Sequence, residues 1–267
     1  MHAGFNDSTT GIWMTGSPAG APHVTVIGAA FLHNRMAARL VGPLTGCNGP
    51  QEAVLDIRGD MTTAWLNYVM ENHEGFWLMG RSRVRLDHTV IANNLGTPGV
   101  LPNAYLFHIQ HASGVEVRNA LIYDNDASAA LTPPYPGGMA SGGASIIYSS
   151  ESCAPSQFVA TTIVNNAADV MFGFGRNDAG LLTLDHVAIT GNWGKVFSDS
   201  AFWVKQGICP PVTLLGATVW NNRVLARSDR VRAAADHRVE PQCRAQQPAA
   251  YVGQLSADRS AADVDLF

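Results

Sequence analysis

Hydrophobic and polar positions along this chain follow a short template that recurs several times. Each copy has an aliphatic residue at its first and third positions, a small or polar residue at its fifth, an apolar residue at its eighth and an asparagine at its eleventh. The period of two places the apolar side chains on one face of a β-strand and does not fit an amphipathic helix. Five copies follow the template closely, at 24–34, 84–94, 115–125, 182–192 and 212–222, and weaker copies lie at 62–72 and 156–166.

The asparagines that end these copies are separated by unequal intervals, although the motif itself has a fixed length. Helical repeats keep a nearly constant length, whereas a β-solenoid keeps its strands and lets its corner loops grow. A side-chain amide has two donors and an acceptor, so identical amides one coil apart can bond to each other at a corner. The pattern predicts an all-β solenoid of about seven coils on a ladder formed by Asn34, Asn72, Asn94, Asn125, Asn166, Asn192 and Asn222.

A second corner is predicted at the fifth template position, because small and polar residues tolerate tight backbone turns. The residues assigned to it are Gly28, Asn67, His88, Asn119, His186 and Gly216, with Thr161 at or near this position in the irregular coil. A further strand, rich in aromatic and branched residues, is predicted before each motif. The segments assigned to this strand are 12–16, 55–59, 76–80, 106–111, 145–148, 171–176 and 202–207.

This succession of strand, corner, strand and asparagine corner resembles the right-handed parallel β-helix superfamily. That superfamily includes pectate lyases, polygalacturonases, alginate-acting enzymes, phage tailspikes and bacterial surface passengers. The resemblance covers residues 11–223 and implies a right-handed parallel β-helix, but it implies little about function because members with the same ladder do unrelated things. We expect a β-helix domain at 1–224 and a C-terminal cap or flexible tail at 225–267, where the motif stops.

Composition narrows the function classes. The formal net charge of −4 does not suit a general nucleic-acid binder, and no apolar run is long enough to span a bilayer. Residues 1–20 lack the features of a signal peptide and no cap precedes Gly11, so the chain is interpreted as intracellular, or as a mature or truncated form. Of these alternatives we expect the mature or truncated form, and we expect the protein to be located in the extracellular medium or at the cell surface.

Four cysteines, Cys47, Cys153, Cys209 and Cys243, lie far apart without a CxxC pair, which excludes the common zinc and thioredoxin spacings. They allow three disulfide pairings, and free thiols are an equal alternative. A bridge between Cys209 and Cys243 would fasten the C-terminal tail to the last coil.

No complete catalytic motif is present, so the candidate sites rest on rows of side chains. The ends of the aromatic strands carry basic residues, and coils about 4.8 Å apart would align these along roughly 24 Å, a length that suits an acidic polymer. In this hypothesis Arg58 and Arg81 bind carboxylates, while Lys205, Arg176 and His111 are the candidate catalytic groups, with Lys205 or His111 as general base. The alternative is that all five are ordinary solvated residues.

Aromatic residues on the same strands form a second candidate row, in which Trp77 and Trp203 would stack on sugars. Trp13 and Phe172 or Phe174 complete this row, and burial in the core is the favoured alternative for all of them. The pairs Asp87-His88 and Asp185-His186 share one template phase, which favours a ladder role over catalysis. No cofactor or metal site is predicted; calcium at Asp124 and Asp126, or at Asn177 and Asp178, is the alternative left open.

Three functions remain open. The favoured one is a secreted or cell-surface protein that binds a polysaccharide or host surface without turnover. The second is a polysaccharide lyase or a related carbohydrate-active enzyme such as a glycoside hydrolase. The resemblance implies a mechanism for this second function. In lyases of the superfamily a base removes the proton beside a uronate carboxylate, and arginine or calcium often neutralises that carboxylate. The third is a structural passenger or adhesin stalk.

Overall fold

A computed structural model describes residues 3–45, 47–49, 51–60, 66–94, 105–126, 145–174, 180–199 and 212–222. In these ranges the regular structure is all β, and no helix long and apolar enough to cross a membrane occurs there. The strands are, in chain order, β1 Ala3–Asn6, β2 Ile12–Thr15, β3 His23–Ile27, β4 Ala29–Leu32, β5 Met36–Val41, β6 Ala53–Arg58, β7 Asn67–Met70, β8 Glu74–Met79, β9 Ser82–Asp87, β10 Thr89–Ala92, β11 Tyr105–Gln110, β12 Gly114–Arg118, β13 Leu121–Tyr123, β14 Ser145–Ser150, β15 Ser156–Val159, β16 Thr162–Val164, β17 Ala167–Phe174, β18 Leu182–Asp185, β19 Ala188–Thr190, β20 Trp193–Asp199, β21 Val212–Leu215 and β22 Thr218–Trp220.

The strands form three sheets, and all pairs of neighbouring strands are parallel. Sheet I contains β1 and every third strand up to β22, sheet II contains β2 and every third strand up to β20, and sheet III contains β3 and every third strand up to β21. The chain therefore passes through the sheets in turn, and each strand pairs with the strand three places further along. This confirms the expectation of an all-β, parallel architecture.

The core lies between the three sheets and follows the period of two in the sequence. Along β9, for example, Val84 and Leu86 are buried while the intervening arginines are partly exposed. The largest fully buried side chains are phenylalanines contributed by all three sheets: Phe31, Phe76, Phe107, Phe158 and Phe172. Burial of these side chains supplies most of the driving force for stacking the coils.

The asparagine ladder is present as predicted. Each amide nitrogen donates to the amide oxygen of the next ladder asparagine, over distances of 2.8–3.0 Å. The same amide oxygen also accepts the backbone N–H of the preceding asparagine, as Asn125 does from Asn94 at 3.1 Å. Ser8 adds a further step, because its hydroxyl donates to Asn34 at 2.7 Å. The amides thus satisfy backbone groups that the corner leaves without strand partners.

The residue before each ladder asparagine has a left-handed backbone, which turns the chain from sheet I into sheet II. These residues are His33, Glu71, Asn93, Asp124, Asn165, Gly191 and Asn221. The fifth-position corner is left-handed too at Gly28, His88, Asn119, His186 and Gly216. One assignment at this corner was wrong, because Asn67 lies one position later, where it pairs with Thr89 inside sheet I. In the irregular coil the left-handed residue is Ala160, with φ of 46°, directly before Thr161.

The strands that follow the asparagine corner form sheet II, and the structure corrects which segments belong to it. Segment 55–59 was expected in the aromatic row, but β6 belongs to sheet III, where Leu55 pairs with Val84. The strand of sheet II in that part of the chain is β5, and near the C-terminus it is β20. Segment 202–207 and the tail at 225–267 lie outside the described residues.

A disulfide joins Cys47, in the loop after β5, to Cys153, in the loop after β14, with 5.9 Å between their Cα atoms. It links loops of coils that lie three strand spacings apart in sheet II. This bridge selects among the pairings that the sequence left open. Cys209 and Cys243 lie outside the described residues, so the bridge between them stays a prediction.

Candidate functional site

The predicted row of basic residues does not form as expected. Arg58 ends β6 in sheet III and pairs with Asp56. Arg81 follows β8 and donates to the carbonyl oxygen of Cys47. His111 closes the equivalent corner after β11, where its Nδ1 lies 3.3 Å from Glu151. Because Leu78 pairs with Ile109, His111 aligns with Gly80 and not with Arg81, so the three residues lie on different rows. Arg176, Lys205 and Trp203 fall outside the described residues.

The outer face of sheet III carries charges that neutralise one another. In-register pairing places Asp56, Arg85 and Glu116 in one row and Arg58, Asp87 and Arg118 in the next, so opposite signs alternate along each row. Arg85 lies 3.3 Å from Glu116. Arg83 contacts both Glu52, at 3.2 Å, and Glu116, at 3.3 Å. Directly opposed unlike charges stabilise neighbouring strands, so this face has a structural explanation.

The outer face of sheet II carries a different row, which we call the aromatic stripe. It consists of five residues that pair in register on β2, β5, β8, β11 and β14: Trp13, Arg39, Trp77, His108 and Tyr148. Because adjacent strands lie about 4.8 Å apart, consecutive side chains of the row contact one another, by stacking between Trp77 and His108 and edge to face between His108 and Tyr148. The sequence placed Trp13 and Trp77 on these strands, and the structure puts them in one row.

Arg39 is held between two indole rings. The central carbon of its guanidinium lies 5.1 Å from the Trp13 ring centroid and 4.5 Å from that of Trp77. Both distances are typical of cation–π contacts. The arginine ion pairs of the described residues involve Arg58, Arg83 and Arg85, so no described carboxylate neutralises Arg39. Its Nε is buried without a hydrogen-bond partner, so its terminal Nη groups are the donors that remain accessible.

Trp77 is fixed from its other side. The His108 ring stacks on it with centroids 5.6 Å apart and an interplanar angle of 8°, and Trp77 Nε1 donates to Gln110 at 3.3 Å. His108 also contacts Tyr105 and Tyr148, whose own rings are stacked at 4.6 Å. These contacts restrain the indole ring on which the guanidinium lies.

Burial sets the charge states of His108 and Tyr105, at the buried end of the stripe. It lowers the pKa of His108 from 6.5 to about 4, because the imidazolium would lose its hydration. Burial likewise raises the pKa of the Tyr105 hydroxyl, with a smaller contribution from Tyr148. At neutral pH both groups are uncharged, so Arg39 carries the positive charge of the stripe.

Exposure falls along the stripe from one end to the other. Trp13 is 65% exposed, whereas Tyr148 is only 8% exposed, and the next residue in register, Gly173, has no side chain. β2 is the edge strand of sheet II, so no described strand covers the far face of the Trp13 ring. Within the row, stacking occupies the ring faces of Trp77. The open part of the stripe is therefore Trp13 together with the guanidinium edge of Arg39.

Two predicted members of the aromatic row face the other way. Phe172 and Phe174 point inward and are 0% and 3% exposed, which agrees with the core alternative. Sequence reasoning missed Arg39, His108 and Tyr148. A polar or amphipathic residue at an outward position of an alternating apolar strand could have indicated each of them. Arg39 was missed because it lies on β5, a strand that the sequence alignment of the repeats had not included.

The remaining candidates are the Asp-His pairs and the proposed calcium ligands. Nδ1 of His88 lies 3.0 Å from Asp87, and Nδ1 of His186 lies 2.6 Å from Asp185, at corresponding corners. Asp124 accepts a hydrogen bond from the Asn165 amide. The described residues contain no group of three or more histidine, cysteine, aspartate and glutamate side chains that could hold a metal ion.

Comparison with protein-family models finds none that matches this chain. No curated protein matches it, and no solved structure does.

Proposed function

We propose that this chain is a right-handed parallel β-helix of about seven coils that binds an acidic polysaccharide or host-surface glycan at the aromatic stripe. Arg39 holds the acidic group of the glycan, and the exposed ring of Trp13 packs against the apolar face of a sugar. The protein acts as a secreted or cell-surface binding protein and does not turn the glycan over.

The observation that carries this proposal is the environment of Arg39. Contacts with Trp13 and Trp77 hold the guanidinium between two rings but leave its terminal Nη groups available. A planar fork of donors matches a carboxylate and binds it through two parallel hydrogen bonds. Elsewhere in the described residues, arginines at 58, 83 and 85 already contact carboxylates, whereas Arg39 has none. A clamped cation without a counter-charge is arranged to meet an anion from solution.

The disulfide supports the proposed location. Bridges such as Cys47–Cys153 form and persist in oxidising environments, which include the extracellular medium, the periplasm and the cell surface. An acidic glycan would be encountered in the same environments.

The test is a binding measurement with polygalacturonate, alginate and the neutral polymer dextran, by affinity electrophoresis and calorimetry. The wild-type protein should bind an acidic polymer and ignore dextran. Arg39→Gln should weaken binding about tenfold or more, because a hydrogen bond to a charged group contributes about 1.5–3 kcal/mol. Arg118→Gln removes the same charge from the exposed end of β12 in sheet III and should leave binding unchanged.

Absence of binding to any acidic glycan at low salt would refute the proposal and favour the structural stalk. Equal losses in both variants would refute the assignment of the site. Release of unsaturated uronate, followed by ultraviolet absorbance, would indicate the lyase instead. The described candidate base, His111, is half exposed and lies beside Glu151, an arrangement that does not by itself favour that activity.

A further inference from the structure

We infer that the aromatic stripe recognises one acidic sugar residue, at a chain end or in a short oligosaccharide, and not a long run of charges. This inference rests on the proposed function and narrows its ligand. It replaces the 24 Å row of basic residues that the sequence suggested with a short site at one end of sheet II.

The charges of the described residues provide the first argument. On β2, β5, β8, β11 and β14, Arg39 is the lone fixed cation, because His108 is neutral and these strands contain no other lysine or arginine. Arg81, which the sequence had placed in the row of basic residues, donates to the backbone of Cys47. The described part of the stripe can therefore neutralise one carboxylate, and the further acidic groups of a longer polymer would stay hydrated in solvent and gain no ion pair from these strands.

The exposure of the stripe provides the second argument. Trp13 is mostly exposed, Arg39 and Trp77 are half-buried, and Tyr148 is buried. Trp13 and Trp77 are two strand spacings apart, which is about 10 Å. That length accommodates a monosaccharide or disaccharide. Beyond Trp77 the row offers the edge of His108 and then closes, so a third sugar unit would gain little further contact.

Together these features define the ligand class as a sugar that bears a single carboxylate beside an apolar ring face. The carboxylate oxygens accept hydrogen bonds from the terminal Nη groups of Arg39, since Nε is buried. The ring face packs on Trp13, whose aromatic surface faces solvent. No bond is made or broken in this step.

The experiment is a length series of oligogalacturonates, from the monomer to the hexamer, titrated into the full chain by calorimetry at two or more salt concentrations. Affinity per oligosaccharide should level off at the dimer, with less than about a threefold gain from dimer to hexamer. The binding constant should depend only weakly on salt. The logarithm of the binding constant should fall with the logarithm of the salt concentration with a slope of about one or less, because one ion pair forms. The matched series with oligoguluronates shows whether sugar stereochemistry matters.

Variants at two tryptophans locate the contact. Trp13→Ala should weaken binding of every length by about tenfold. Trp220→Ala changes another exposed tryptophan, on sheet I, and should have no effect. Unfolding curves identify variants that have lost the fold, and Trp13→Phe, which keeps an aromatic face, should retain most of the affinity.

The outcomes separate the inference from the proposed function. An affinity that rises tenfold or more beyond the dimer, or a salt slope of several ions, would overturn the single-residue site while leaving acidic-glycan binding intact. Binding of long polymers alone would do the same. If neither oligomers nor polymers bind, the proposed function fails and the inference fails with it.

Discussion

Replacing His108 with phenylalanine should remove part of the stability loss that the wild-type protein undergoes in acid. His108 lies on β11, stacked on Trp77 and in contact with Tyr105 and Tyr148. The histidine ion pairs of the described residues involve other histidines, so no described carboxylate compensates a charge here. Burial consequently lowers the pKa of His108 from 6.5 to about 4.

The sign of the effect follows from proton binding in the two states. Above about pH 6.5 the imidazole is neutral in both the folded and the unfolded chain, and the free energy of unfolding is unaffected. As the pH falls from 6.5 towards 4, the unfolded chain takes up a proton that the folded chain excludes. The folded state is therefore progressively destabilised, by about 3 kcal/mol at pH 4, since one pKa unit is worth about 1.4 kcal/mol.

The assay is urea unfolding followed by tryptophan fluorescence at a series of pH values from neutral to pH 4. Carboxylates also titrate in this range, so the informative quantity is the difference between wild type and His108→Phe. Phenylalanine keeps a flat ring against Trp77 but cannot be protonated. Its free energy of unfolding should fall by about 3 kcal/mol less than that of wild type between pH 7 and pH 4.

The exposed His73 provides the matched control. His73→Phe makes the same substitution at an exposed site and measures what the change of residue type alone contributes. Parallel profiles for wild type and His108→Phe would show that His108 is protonated equally in the folded and unfolded chains, and the account of its burial would be refuted. Direct NMR titration of the imidazole would locate the folded-state pKa independently.

Three further outcomes follow from the fold. Asn125→Ala should cost about 3 kcal/mol in urea unfolding, because it leaves several buried donors and acceptors of the ladder without partners. Asn165→Ala, at the exposed position directly before the ladder residue Asn166, should cost about 1 kcal/mol or less, and equal losses would contradict the ladder. Gly42→Ala should destabilise by about 2 kcal/mol, since its Cβ would lie 1.9 Å from the Arg81 carbonyl oxygen, while Gly20→Ala meets nothing within 4 Å and should be neutral. Reduction of the disulfide, which spans 106 residues, should cost about 3–5 kcal/mol; a digest of the unreduced protein without the linked peptide pair would refute the bridge.

The strands, corners and ladder could be predicted because each is specified within a few neighbouring residues. In segment 84–94, alternation of aliphatic residues defines the buried face, His88 turns the first corner and Asn94 closes the second. All of this information is local, and it recurs in phase. Parallel pairing of identical segments then brings the asparagines together, so the ladder followed from the same pattern.

The errors arose where a loop of variable length separates one strand from the next. Leu55 and Ile57 alternate like members of either sheet II or sheet III, and local sequence does not distinguish them. The assignment to sheet II placed Arg58 beside Arg81, whereas pairing of β6 with β3 and β9 places it in the charged rows of sheet III. Hydrogen bonding between coils decided the sheet.

The aromatic stripe was settled by tertiary structure alone. Its five members are far apart in the sequence, and each is an outward residue of its own strand: Trp13, Arg39, Trp77, His108 and Tyr148. Alternation determined that these side chains leave the core, because period two fixes which face a residue occupies. Lateral register determined which of them meet, and register depends on backbone pairing across loops of unequal length, which no local pattern encodes.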